Sequence, residues 1–117
     1  MQKLARQGGV MGLNGCRYIT GSLNGGHLIR MCEHIEYETA GIGREHVGFG
    51  FDLCDSYDEA RAGLQGKEPL VQKDDCLSDH AQIPMVTAAL LQRGMAEEDV
   101  IFIMGKSWIL YLQEVLP

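Results

Sequence analysis

Proline is scarce and positive charge is never concentrated in this sequence. Only 3 of its 117 residues are proline, against 15 glycines, which favours tight turns over an extended proline-rich linker. The 10 Lys and Arg residues stand singly among 16 acids, giving a formal net charge of −6. Without a basic stripe to contact phosphates, no nucleic-acid partner is expected. No apolar run approaches the ~18 residues of a transmembrane helix, so no membrane partner is expected either. The polar stretch Met1 to Gly9 lacks the apolar core of a signal peptide. The four cysteines, Cys16, Cys32, Cys54 and Cys76, form no C-x-x-C motif. Their even number permits disulfides, but their density is low for a secreted disulfide scaffold. Reduced thiols in a cytoplasmic protein are the expectation. A structural zinc site built from these cysteines and four dispersed histidines is not expected.

What is present fits one globular unit, residues 1–117. The hydrophobic fraction of 45% and charged fraction of 22% are ordinary for a soluble chain. A chain this long can remove about two-thirds of its unfolded surface from water. Met1 to Gln7 reads as the end of a helix that Gly8-Gly9 stops. Val10 to Asn14 is nearly continuously apolar, as a parallel strand covered on both faces would be. Gly15 to Gly26 reads as a loop. His27 to about Thr39 has the helical stripe Leu28, Met31, Cys32 and Ile35, with Glu33, Glu36 and Glu38 on other faces, and Gly41 and Gly43 at its end. His46 to Gly50 is a second strand, making a strand–helix–strand crossover.

Phe51 to Asp79 reads as long and irregular, with a short helical turn over Asp58 to Leu64. Ala81 to Arg93 is the clearest helix, with Ile83, Val86, Leu90 and Leu91 on one side, Pro84 in the first turn and Gly94 at the C-cap. The acidic start Glu97-Glu98-Asp99 argues for helix over Val100 to Met104, although its β-branched apolar character also suits a strand. Gly105 breaks this segment. Ser107 to Leu116 closes the chain as an apolar helix carrying Trp108, Leu112 and Val115.

The most informative segment is His46-Val47-Gly48-Phe49-Gly50-Phe51-Asp52-Leu53-Cys54-Asp55, a short apolar strand with an acidic tip. On its residues alone, Asp52 reads as a turn-capping aspartate. Cys54 has no histidine near it in sequence and is a poor nucleophile candidate. His34 reads as a packing residue, His46 as structural or exposed, and Asp79 as a helix cap rather than half of a dyad with His80.

Read in order, the segments resemble the C-terminal third of the membrane (renal) dipeptidase family. Gly8-Gly9-Val10-Met11-Gly12-Leu13-Asn14 is similar to the family's penultimate strand. His34-Ile35-Glu36-Tyr37 is similar to the helix that follows, and His46 to Asp52 to the last strand. Leu77-Ser78-Asp79, Pro84, Leu90-Leu91-Gln92-Arg93-Gly94 and Glu97-Glu98-Asp99-Val100 resemble the helices beyond. The resemblance implies an α/β fold, part of a TIM-type βα barrel: the last two parallel strands with flanking and C-terminal helices. It also implies a hydrolase of dipeptides using two zinc ions. Asp52 matches the family's acidic residue at the end of the last strand, which implies a substrate-binding role toward a free amino group.

The family's metal ligands come from earlier strands, and His27, His34, His46 and His80 do not match their motifs. No catalytic residue, metal ligand or bound zinc is therefore expected of this chain alone. Where many relatives have a second Asp and then Gly, this chain has Cys54 and Asp55; Gly15-Cys16 follows Asn14 where aromatics are common; and Lys106-Ser107-Trp108 replaces a Gly-Asn-Phe-like turn. Two adjacent strands leave open edges, so a homo-oligomer or a partner chain is expected. The alternative to an incomplete dipeptidase is a non-catalytic oligomeric or interaction module built on the same fold.

Overall fold

A computed structural model describes residues 1–21, 26–53, 55–66, 76–77 and 79–117. Two short parallel strands lie at its centre. β1 (Met11–Leu13) pairs with β2 (Val47–Phe49) in the register Met11↔Val47, Gly12↔Gly48, Leu13↔Phe49. Parallel pairing needs a long crossover. It is supplied by α2 (Arg17–Thr20), α3 (His27–Ile42) and a 3₁₀ turn over Arg44–His46. The expected mixed α/β class with a parallel pair is what the chain adopts.

Local chemistry sets the element boundaries. α1 (Gln2–Arg6) ends in a turn at Gly8, whose φ of 75° suits only a residue without a Cβ strain penalty. α3 runs through Gly41 and stops at Gly43, where φ is 89°. The stop expected at Gly41 does not occur, because a helical glycine costs little when the next turn still packs. His46 lies in the 3₁₀ turn rather than the strand, and its Nδ1 is 2.9 Å from the Gly9 carbonyl. α5 (Ile83–Gln92) follows a 3₁₀ turn over His80–Gln82, capped by the Asp79 carboxylate, which accepts from the Ala81 N–H. Pro84 sits in its first turn and Gly94 (φ 89°) just past its end.

Several expectations are corrected. The segment expected as a loop from Gly15 to Gly26 contains α2, whose Thr20 hydroxyl donates back to the Cys16 and Arg17 carbonyls. The helical turn expected at Asp58 is a full helix, α4 (Asp55–Leu64). Leu91 is exposed rather than on the buried side of α5, and Glu38 is buried rather than on an outer face of α3. The helix–strand choice over Val100 to Met104 resolves as helix: α6 (Glu97–Ile101) runs into a wide π turn, Phe102–Lys106, where Gly105 leaves helical dihedrals. α7 (Ser107–Val115) follows. Cys54, Ser78, Pro69 and the Asp74-Asp75 pair lie outside the described residues.

The core lies between the sheet, α3, α5 and the α6–π turn. Met31, Cys32 and Ile35 of α3 meet Val86 and Leu90 of α5, Val47 of β2, and Val100 and Ile103. Buried aliphatics of this kind each contribute about 1.5–3 kcal/mol. Ser107, only 1% exposed, donates to the Arg44 carbonyl at 2.8 Å and so ties α7 to the turn before β2. Arg44 pairs with Asp99 and Glu98, and these acids hold its guanidinium above its ordinary value. Arg93 bridges to Glu36 through two hydrogen bonds, at 2.6 and 2.8 Å, joining α5 to α3.

Candidate functional site

The C-terminal ends of the two strands bring the candidate residues together. The ladder continues past the regular strands: the Gly50 N–H donates to the Leu13 carbonyl at 3.0 Å and the Gly15 N–H to the Phe51 carbonyl at 3.3 Å. A Cβ on Gly15 would lie 3.1 Å from the Phe51 oxygen, so this close approach favours glycine. Phe49 and Phe51 stack with ring centroids 4.3 Å apart. The chain then turns sharply. Asp52 has φ 62°, a left-handed conformation that aspartate tolerates better than most residues.

In that turn the Asp52 carboxylate faces Asn14, the first residue after β1. Asn14 Nδ2 donates to Asp52 Oδ2 at 3.1 Å. The other end of the Asn14 amide is fixed as well, because its Oδ1 accepts the Cys16 N–H at 2.7 Å. An amide whose oxygen is used in this way presents its NH₂ to the carboxylate. Asp52 is exposed, and among the described residues no donor reaches its second oxygen. The pair is therefore an oriented anion with one oxygen held and one open, a good partner for an incoming ammonium.

A cavity of about 150 Å³ adjoins Asn14, walled by Met11, Leu13, Ile19 and Met31. His34 stands on its wall with Nε2 3.2 Å from the Thr20 carbonyl. This contact ties α3 to α2. A groove of about 570 Å³ is lined by Met1, Lys3, Tyr37 and Ile42. It adjoins α1 and the C-terminal end of α3, and its lining carries no carboxylate or histidine. The shifted acid–base groups are likewise structural. Burial raises the Cys32 thiol against a smaller opposing effect of Arg93. The Arg93 hydrogen bonds lower Glu36.

A sequence profile described as membrane dipeptidase (Peptidase family M19) matches residues 1–115. The chain belongs to the membrane dipeptidase family. Dipeptidase tcpJ from Claviceps purpurea (strain 20.1) is 35% identical over 83 residues, a match that covers 71% of this chain and 16% of that protein. The chain thus aligns with under a fifth of this curated dipeptidase. No solved structure matches the chain.

Membrane dipeptidases are metal-dependent enzymes, generally zinc enzymes. Among the described residues of this family member, no three His, Cys, Asp or Glu side chains group closely enough to hold a metal ion. Two of the histidines, His34 and His46, are set against backbone carbonyls. The described residues do not fit a zinc pair.

The family resemblance points to Asp52 and not to Asn14, its hydrogen-bond partner. Asn14 reads as the end of a strand. Its pairing with Asp52 needs both the parallel register, which continues from Leu13↔Phe49 to set residue 14 beside Gly50, and the left-handed turn at Asp52 that follows.

Proposed function

We propose that this chain is the C-terminal portion of a metal-dependent dipeptidase, contributing the last two parallel strands of a βα barrel and the residue that selects a free amino terminus. The observation that carries the reading is the Asn14–Asp52 pair at the strand ends, where barrel enzymes gather their chemistry. Asp52 would accept hydrogen bonds from the substrate ammonium through its open oxygen. Asn14 would hold the other oxygen and so fix the carboxylate plane. Family membership supports peptide-bond hydrolysis of dipeptides as the reaction of the completed site. Zinc would supply a nucleophilic water and polarise the scissile carbonyl, but the described residues offer it no ligand set. The chain alone would therefore be inactive, and completion would come from the missing strands, in a partner chain or a longer polypeptide. A cytoplasmic setting with reduced thiols fits this reading.

A second reading is favoured by α7, whose outer face exposes Ile109, Leu110, Leu112 and Val115. Such a face suits a non-catalytic oligomeric module. The two readings differ at Asp52, which only the first requires.

Amide NMR of the ¹⁵N-labelled chain titrated with glycylglycine tests the first reading. An exposed ion pair is weak, so binding at a Kd above about 1 mM, less than about 4 kcal/mol, is expected. The Asn14 side-chain amide should shift with glycylglycine, stay unmoved with N-acetylglycylglycine, and lose its response in Asp52→Asn. Equal responses to both peptides, or none at Asn14, would remove the ammonium-binding role.

A further inference from the structure

The loop that carries Asn14 is also held from behind by a second cysteine-bearing segment. The Cys76 N–H donates to the Gly15 carbonyl at 3.0 Å, the carbonyl of the peptide bond that leads into Cys16. Cys76 Sγ lies 3.2 Å from the His27 carbonyl and 4.0 Å from Thr20 Oγ1. Thr20 Oγ1 in turn lies 3.3 Å from the Cys16 carbonyl. The Cys76 sulfur therefore sits against the single turn of α2 that Cys16 begins. Neither cysteine is in a disulfide. Cys16 is partly exposed and Cys76 is buried.

We infer that Cys16 and Cys76 are a thiol–disulfide pair, a modification site for a small disulfide such as oxidised glutathione. The Cys76 N–H bonded to the Gly15 carbonyl sets the Cys76 backbone beside the peptide link of Cys16, the kind of neighbourhood a disulfide needs, since it spans Cα atoms roughly 4.4–6.8 Å apart. Closure requires the Cys76 side chain to rotate off the His27 carbonyl toward Cys16.

The exchange balances without any further reagent. The Cys16 thiolate attacks one sulfur of glutathione disulfide and expels a glutathione thiolate. The Cys76 thiolate then attacks the Cys16 sulfur of the mixed disulfide and expels the second glutathione. Two protein thiols lose two hydrogens, and one glutathione disulfide becomes two glutathiones. Exposure sets the order, because only Cys16 is open to the reagent.

The cross-link encloses α3, β2 and Asp52 within one covalent loop. A loop of that length is strongly constrained in the unfolded chain, so the oxidised form melts higher. The Cys16 N–H holds Asn14 Oδ1, so the same bond would pin the turn that orients Asn14 toward Asp52. The pairing itself does not depend on the dipeptidase reading.

Incubating the reduced 117-residue chain with oxidised glutathione, followed by non-reducing peptide mapping and thermal melting, tests the inference. The expected result is a loss of two hydrogens in mass and one linked peptide pair containing Cys16 and Cys76. Tm should rise by several degrees, and dithiothreitol should reverse the rise. Cys16→Ser, at a partly exposed position, should fold, fail to cross-link and show no rise in Tm. Stable glutathione adducts without the linked pair, a pair formed with Cys32 or Cys54, or a Tm that falls on cross-linking would each overturn it.

Discussion

The Trp108 indole lies against Gly48 and donates its Nε1–H to the Phe49 carbonyl at 3.0 Å. A Cβ on Gly48 would collide with the indole ring, and one on Gly12, its strand neighbour, would lie 3.3 Å from Cζ2 of the same ring. The two paired glycines form a shallow bed for the tryptophan, and α7 is thereby fixed on that side of the sheet. Phe49 gains a partner for a carbonyl that a two-stranded sheet would otherwise leave open.

Gly48→Ala therefore removes the bed. The ring must shift, and overpacking of this kind costs about 1–3 kcal/mol. Gly41→Ala is the contrasting change. It lies inside α3 with no atom within 4 Å of the new Cβ, so the helix gains about 0.5–1 kcal/mol. Urea unfolding followed by the fluorescence of Trp108, the chain's single tryptophan, should move the midpoint down for the first variant and up for the second. Equal midpoints would mean that Trp108 does not rest on the sheet.

Glu38 presents a different imbalance. It is 7% exposed on α3, and its Oε2 is buried without a hydrogen-bond partner among the described residues. A buried polar group left unpaired costs about 1–3 kcal/mol. Glu38→Met keeps the length and helix propensity of the side chain and removes that cost. Its Tm should rise in a thermal melt at neutral pH. A fall in Tm would show that the carboxylate makes a stabilising contact.

The Arg93–Glu36 bridge gives a pH dependence with a definite sign. Arg93 holds Glu36 below its ordinary value, chiefly through the side-chain hydrogen bonds. A carboxyl lowered in the folded state contributes its stability above the unfolded value, about 4.3, and loses it as pH falls from there through the folded value. Both side chains are about one-third exposed (33% and 36%), so the effect is small and screened by salt. The Tm difference between the parent and Glu36→Gln should be constant at neutral pH and shrink below about pH 4. A difference that persists to pH 2 would contradict the bridge.

Much of this architecture is legible in the sequence because it rests on local rules. The α3 stripe, the proline of α5 and the glycines at positions 43 and 94 act through side-chain period, fixed φ or a missing Cβ, all of which can be read residue by residue. Asp52 was legible through resemblance, since its position after a strand is ambiguous on its own. The illegible features depend on the third dimension. α2 is a single turn held by Thr20 bonding back to its own backbone, too short to show a period. Glu38 lies on the buried arc of α3 together with Met31 and Ile35, yet its charge reads as surface. Leu91 is apolar but one position off the α5 stripe. Asn14 meets Asp52, and Trp108 meets Gly48, only through strand register and the path of α7.

If, as proposed, this chain carries the ammonium anchor of a dipeptidase site without its metal centre, the purified chain binds no zinc. The most direct measurement is zinc content by elemental analysis, taken on the same purified sample as hydrolysis of L-alanyl-L-alanine. Under the proposal, no stoichiometric zinc and no turnover are expected. Stoichiometric zinc with turnover that Asp52→Ala abolishes would contradict it, and would mean that the chain's own histidines and acids rebuild the metal site between subunits.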